Sequence, residues 1–196
     1  MLNLPLDTIP GSPSPAGIVP ATPFPARHSP RPAPIPFPSR ARTKHEGGNM
    51  AQAVIIFGST TGNTEYVATF IQKELESQSH TVTLLNAADA SADELKTHYD
   101  IYLLGCSTWG TDAVELQEDF EDFYQSLLGG IDLSGKSFAL FGCGDSAFEH
   151  FCGAVDAIEE QVDRLGGSLL LEPLKIDGDP DDGQLQEWMD ELTSTL

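Results

Sequence analysis

Past its first quarter the sequence has almost no proline, few basic residues and no long hydrophobic run, and each shortage excludes something. Twelve of the 14 prolines fall between Pro5 and Pro38, leaving only Pro173 and Pro180 for residues 50–196. The chain is therefore expected to divide near residue 50. Residues 1–49 resist helix and sheet because proline removes backbone donors, whereas residues 50–196 are free to build both. Basic residues divide at the same point. Residues 1–49 carry five Lys/Arg against Asp7 and Glu46, while residues 50–196 carry five against 28 Asp/Glu, a formal charge of −23. So acidic a body disfavours nucleic acid and anionic membrane, and favours rapid, salt-sensitive encounter with basic-surfaced proteins. No apolar run approaches the ~20 residues of a membrane helix, which predicts a soluble protein. Cysteine is scarce too: Cys106, Cys143 and Cys152 are odd in number and lack metal-ligand spacing. That pattern argues against a disulfide framework and a metal centre, and fits small buried thiols in a reducing, cytoplasmic setting.

Runs such as Pro20-Ala-Thr-Pro-Phe-Pro25 and Pro30-Arg-Pro-Ala-Pro-Ile-Pro-Phe-Pro38 favour extended polyproline II, so residues 1–49 are expected to be a disordered extension. Prolines interrupt every apolar stretch, which argues against a secretory signal; Arg27, Arg31, Arg40 and Arg42 keep an organellar transit peptide open. Reverse translation offers another reading. Glu46-Gly47-Gly48-Asn49 before Met50 encodes a GGAGG ribosome-binding sequence if Gly47 uses GGA, which makes Met50 a candidate start.

Beyond residue 50, short apolar runs alternate with helical periodicity through five repeats, the pattern of βα units building a parallel sheet. Val54-Ile-Ile-Phe57, Ile101-Tyr-Leu-Leu104 and Phe138-Ala-Leu-Phe141 are apolar without alternation, as central strands covered on both faces must be. Thr81-Val-Thr-Leu84 alternates, and the run 169–176 contains Pro173, which a central ladder does not accommodate, so both belong at edges. Right-handed crossovers then leave the order 2-1-3-4-5. Helical stripes are read at Val67, Ile71 and Leu75; at Leu116, Phe120, Phe123, Tyr124 and Leu127; at Val155, Ile158, Val162 and Leu165; and at Leu185, Trp188, Met189 and Leu192. Gly166-Gly167 ends the third of these stripes, and Trp188 is assigned to the core.

An open parallel sheet binds ligands beyond the carboxyl ends of its strands where the order reverses, here between strands 1 and 3. After strand 1 stands Gly58-Ser-Thr-Thr-Gly-Asn-Thr-Glu65, which puts the polar side chains of Ser59, Thr60, Thr61, Asn63 and Thr64 at a helix start. With the free N–H groups and positive dipole of that helix they form an anion site. No lysine takes part, which separates the turn from a nucleoside-triphosphate loop, and G-x-G-x-x-G is absent. A phosphomonoester held by neutral donors fits; the alternative is a turn that merely caps the helix. The loop after strand 3 is Cys106-Ser-Thr-Trp-Gly-Thr-Asp112, and that after strand 4 is Gly142-Cys-Gly-Asp-Ser-Ala-Phe-Glu-His-Phe-Cys152. Trp109 and Phe148 lie in these loops, outside any apolar stripe, where they can present ring faces at a solvent-facing mouth. Two rings imply a flat guest such as an isoalloxazine.

Together these three loops and the following Phe151-Cys-Gly-Ala-Val-Asp-Ala-Ile-Glu-Glu160 resemble short-chain flavodoxins of the sulfate-reducer type, a similarity that runs through residues 50–196. The resemblance implies a three-layer α/β sandwich with a five-stranded parallel sheet of order 2-1-3-4-5. It implies non-covalent FMN and a monomeric carrier that shuttles single electrons at low potential between redox proteins, without substrate turnover of its own. It places Ser59, Thr60, Thr61, Gly62, Asn63, Thr64 and Ser107 around the phosphate and Thr108 near the ribityl chain. Trp109 and Phe148 would cover the two ring faces. Backbone groups of Gly110, Thr111, Asp145, His150 and Cys152 would meet the polar edge, with Cys143, Gly144 and Phe151 in the same surroundings. Gly110 is the residue whose peptide would turn toward N5 on reduction, a change that glycine permits.

Three residues depart from that subgroup. Phe148 and His150 stand where tyrosines are usual, and Thr111 replaces an acid. Stacking survives, but loss of a phenol and a carboxylate is expected to shift the redox potential. His150 adds an imidazole, with two readings: a group that gives the potential a modest pH dependence, or an exposed histidine uncoupled from the flavin. Two rival readings are weaker. A flavin-dependent quinone or NAD(P)H oxidoreductase needs an insertion or basic pocket that the sequence lacks. A response-regulator receiver needs acids after strand 1 and an aspartate closing strand 3, where this chain has Phe57-Gly-Ser and Gly105-Cys-Ser.

Overall fold

The structure, a computed structural model, describes residues 50–110 and 113–196. The expectations for residues 1–49 and for Thr111 lie outside the described residues. The chain runs through β1 (Gln52–Gly58), α1 (Asn63–Ser77), β2 (Thr81–Asn86), β3 (Ile101–Cys106), β4 (Thr108–Trp109), β5 (Glu115–Leu116), α2 (Glu118–Leu128), β6 (Ser137–Gly144), α3 (Gly153–Arg164), β7 (Ser168–Leu169), β8 (Leu174–Asp177) and α4 (Asp182–Thr195). The main sheet has the order β2-β1-β3-β6-β7, with β8 also on β6, and every pairing in it is parallel. With β6 in fourth place, this is the order 2-1-3-4-5 read from the sequence.

Side-chain alternation along the central strands divides the core in two. Ala53, Ile55, Phe57, Ile101, Leu103, Ala139 and Phe141 point to one face, where they meet Val67, Ile71 and Leu75 of α1 and Leu185, Trp188, Met189 and Leu192 of α4. Val54, Ile56, Tyr102, Leu104, Phe138 and Leu140 point to the other, against Phe120, Phe123 and Leu127 of α2 and Val155, Ile158 and Val162 of α3. A three-layer sandwich results. Each fully buried Val, Leu, Ile or Phe in these layers contributes about 1.5–3 kcal/mol, so the layers hold the sheet edge rigid enough to carry loops. Trp188 is core as expected, with its Nε1 donating to the Glu172 carbonyl at 3.0 Å. Gly105 is needed for packing: a Cβ there would lie 2.2 Å from the Phe141 ring on the neighbouring strand.

Three sequence expectations are corrected. The single fifth strand over 169–176 is two short strands, β7 and β8, because Pro173 has no N–H and biases the residue before it, so the ladder stops and restarts around it. The connection from β2 to β3 is not a fifth α-helix but two 3-10 turns, Ala87–Asp89 and Ala92–Lys96. There the Asn86 and Ser91 side chains each accept from an amide two residues on, which competes with helical hydrogen bonding. Leu116, read as the first residue of a helical stripe, instead pairs with Thr108 in the antiparallel ribbon β4–β5. Helix α2 starts only after Gln117, whose Oε1 accepts from the Phe120 amide at 3.0 Å. The end of α3 matches expectation. Gly166, at φ +88°, donates to Asp163 O and Gly167 to Val162 O, a glycine-terminated Schellman turn.

Candidate functional site

Register sets where the site lies. Gly58 stands opposite Cys106, Gly105 opposite Phe141, and Gly144 opposite Asp177. The chain therefore leaves β1 and β3 at one level along the carboxyl edge, and β6 and β8 two residues beyond it. Between the loops that follow is a cavity of about 460 Å³ lined by Thr61, Asn63, Ser107, Thr108, Trp109, Gly110, Cys143, Gly144, Asp145, Phe148, His150 and Gly178. That volume is within the usual range for a small-ligand pocket. Among the described residues the lining includes no lysine or arginine.

The 59–64 turn and the start of α1 form one end. Gly62, at φ +96°, is the N-cap and has no side chain with which to cap, so the first amides of α1 have no side-chain partner. By contrast α2 and α4 are capped by Gln117 and Asp181, and the α3 amide of Ala154 meets Thr108 Oγ1 at 3.0 Å. Thr64 is 1% exposed and its Oγ1 has no hydrogen-bond partner. The Cys143 thiol lies close enough to feel that hydroxyl, but a thiol is a weak partner and no bond of acceptable geometry forms. Ser59 Oγ accepts from Gly62 N at 3.1 Å, and Ser107 Oγ accepts from Trp109 Nε1 at 3.2 Å. A hydroxyl that accepts within the protein keeps its own proton to donate elsewhere. Asn63 differs: its Nδ2 already donates to Gly178 O and Asp179 Oδ1, each at 3.1 Å, so it offers an anion chiefly its backbone N–H.

The other end carries the rings. Trp109 is 41% exposed and Phe148 48% exposed, unusual for large apolar side chains, and both line the cavity. Trp109 is held in the β4–β5 ribbon by pairing with Glu115. Phe148 sits on a turn closed by its amide donating to Asp145 O at 3.1 Å. Gly110, the residue after Trp109, also lines the cavity; it stands at φ +89°, where a Cβ would come within 2.2 Å of the Ala113 carbonyl. Replacing Gly110 by alanine is expected to cost about 1–3 kcal/mol of stability, the range for a residue held in a sparsely populated conformation. A thermal or denaturant unfolding curve measures it.

Of the residues singled out from sequence, Ser59, Thr60 and Gly62 on the turn, Thr64 in the first turn of α1, and Phe151 and Cys152 are not among the lining residues. Cys152, the αL N-cap of α3 at φ 51°, is buried with its thiol toward Gly142 O and Ile176 O. Burial pushes the Cys106 thiol up to about 12 and the Cys152 thiol to about 11, and raises Cys143 as well. All three cysteines are free and buried, matching the reading of small interior thiols. Gly178 was missed. Its only signal in the sequence was position, directly after the last strand, where the carboxyl-edge rule also applies.

Residues 55–191 match the flavodoxin family profile. The chain belongs to the flavodoxin family. It is 47% identical to the flavodoxin of Maridesulfovibrio salexigens over 139 residues, covering 71% of this chain and 94% of that one. It is also 47% identical to the flavodoxin of Nitratidesulfovibrio vulgaris over 131 residues, 67% of this chain and 88% of that one. Among solved structures, oxidised flavodoxin 2 from Bacillus cereus superposes with a TM-score of 0.68 at 37% identity, covering 74% of this chain and 100% of that one. As a short-chain flavodoxin the protein carries FMN and transfers electrons to redox partner proteins; it is not a substrate-turnover enzyme. The residues present fit that cofactor. An orphaned hydroxyl and an uncapped helix start suit its phosphate, and two open rings suit its flat end. Among the described residues, no helix of this flavodoxin is long and apolar enough to cross a membrane.

Proposed function

We propose that residues 50–196 form a monomeric, low-potential one-electron carrier that works between basic-surfaced redox proteins in the cytoplasm. The observation that carries this reading is one cavity lined both by the uncharged Thr61, Asn63, Ser107 and Thr108 and by the exposed Trp109 and Phe148 rings, with the orphaned Thr64 hydroxyl on the adjoining first turn of α1. FMN, when bound, supplies the electron-accepting chemistry. Thr64 Oγ1, the first-turn amides of α1 and the hydroxyls of Ser59, Thr60, Thr61 and Ser107 hold its phosphate without neutralising it, and Thr108 lies toward the ribityl chain. Trp109 and Phe148 cover the ring faces and exclude water from them. Backbone groups around Gly110, Asp145 and His150 meet the polar edge, and Gly110 has the conformational freedom to change its peptide orientation there.

Charge sets the direction of the potential. A cavity with no Lys/Arg among its described lining residues, in a domain of formal charge −23, opposes any added negative charge. A carboxylate about 10 Å away does so by about 0.4 kcal/mol in a water-like dielectric before salt screening, and many such contributions accumulate. A spectroelectrochemical titration of the FMN-loaded protein tests the proposal. Two separated one-electron waves are expected, the second clearly more negative than the first and moving positive as salt is added. A single two-electron wave would sink the reading. Electron transfer to a basic partner should likewise slow with rising ionic strength.

A further inference from the structure

The last residue of β8 and the two that follow it touch both ends of the site. The Asp177 carboxylate accepts from the Ser146 amide at 2.9 Å and from the Ser146 hydroxyl at 2.5 Å. Ser146 is part of the tight turn in which Asp145 O accepts from the Phe148 amide at 3.1 Å and Asp145 Oδ1 from the Ala147 amide at 2.8 Å. One residue on, Gly178 N donates to Gly144 O at 2.9 Å and extends the β6–β8 ladder. Gly178 O and Asp179 Oδ1 in turn receive the Asn63 side-chain amide. The 177–179 segment thus grips the ring loop on one side and the phosphate turn on the other. Residues 145–148 and 177–179 are all exposed. The Phe148 ring therefore has little apolar packing to orient it, and its placement depends on these hydrogen bonds.

We propose that Asp177 is a positioning residue for Phe148: its carboxylate clamps Ser146, fixes the turn that presents the ring, and so governs how tightly the isoalloxazine is held without touching it. This inference rests on the assignment of Phe148 to a ring face under the proposed function. The Ser146 hydroxyl, then its amide, hold the Asp177 carboxyl below its ordinary value of 3.8. The clamp is therefore complete above that value and lost as pH falls through the lowered one. Electrostatics and positioning predict opposite signs. Removing a carboxylate beside an anionic cofactor strengthens binding, whereas removing a clamp weakens it.

The test is a titration of apoprotein, prepared from the full chain, with FMN and separately with riboflavin, which has the ring but no phosphate. Asp177→Ala is expected to weaken riboflavin about tenfold, as for loss of hydrogen bonds to a charged group, and FMN by somewhat less, because the lost carboxylate no longer repels the phosphate. It should also change the visible circular dichroism of the bound flavin. Ser146→Ala should weaken both by less, because its amide still reaches the carboxylate, and the double variant should be no weaker than Asp177→Ala. Asp177→Asn should bind nearly as the native protein does, because an amide can accept from Ser146 N and donate to Ser146 Oγ. The proposal is overturned if Asp177→Ala binds as tightly as the native protein or more tightly, if it weakens FMN alone, if the losses add, or if Asp177→Asn is as weak as Asp177→Ala. Phe148→Ala serves as the control. If it leaves riboflavin binding unchanged, the stacking assignment fails; if it weakens binding while Asp177→Ala does not, the clamp alone fails.

Discussion

Replacing Thr64 by valine is expected to weaken FMN binding by about ten- to a hundredfold while leaving riboflavin binding within about twofold of the native protein, the range for one hydrogen bond to a charged group. The substitution keeps the shape of the side chain and removes only the hydroxyl. In the native protein that hydroxyl is buried and has no partner. Leaving a buried polar group unpaired costs roughly 1–3 kcal/mol, which the unliganded protein bears in advance. Valine removes this cost, so the apoprotein should become more stable as its FMN affinity falls. The two opposite changes distinguish a ligand-directed hydroxyl from a structural one, whose loss would lower stability and affinity together. Fluorescence titration with each flavin and a thermal unfolding curve of the apoprotein read both. Equal loss for FMN and riboflavin would mean that Thr64 does not serve the phosphate.

Trp109→Ala should do the complementary thing, weakening FMN and riboflavin alike by about a hundred- to a thousandfold. An indole face covering one side of a flat ring removes about 100 Å² of apolar surface from water, worth about 2.5 kcal/mol. Favourable aromatic geometry adds roughly 0.5–1.5 kcal/mol. Because Trp109 is 41% exposed in the protein alone, its removal leaves no core cavity and should hardly change apoprotein stability. A large fall in melting temperature with unchanged flavin affinity would instead make Trp109 a packing residue. The hydrogen bond from its Nε1 to Ser107 Oγ, at 3.2 Å, couples this ring to the phosphate end, so a small extra loss for FMN over riboflavin is expected. The same titrations measure it.

Some features were readable because they depend on neighbours a few residues apart. The central strands were legible as unbroken apolar runs, and the anion turn as small polar residues around two glycines before a helical stripe. The missed 3-10 turns between β2 and β3 came from local side-chain competition, whereas the misreadings at Leu116 and Pro173 were decided by strand pairing beyond the immediate neighbours. Leu116 keeps helical spacing with Phe120, yet its pairing with Thr108, eight residues earlier, makes it a strand residue. Pro173 was correctly confined to an edge, but whether the strand would tolerate or split around it depended on how β6 could be paired on either side. Asn63 was read as a phosphate donor from its place in the turn. Its side chain is instead held by Gly178 and Asp179, more than a hundred residues further along the chain.

From the sequence alone came the parallel sheet and its order, the acidic charge of the domain, the neutral anion turn and the two rings outside any core stripe. Periodicity, composition and short-range spacing are properties that the chain carries before it folds. Only the tertiary structure could show that Thr64 is left without a partner, that the loops beyond the strand ends share one cavity, and that Asp177 and Gly178 join its two ends. Each of those facts depends on which strands pair and which polar groups find partners, and that is settled only when distant segments compete for the same hydrogen bonds.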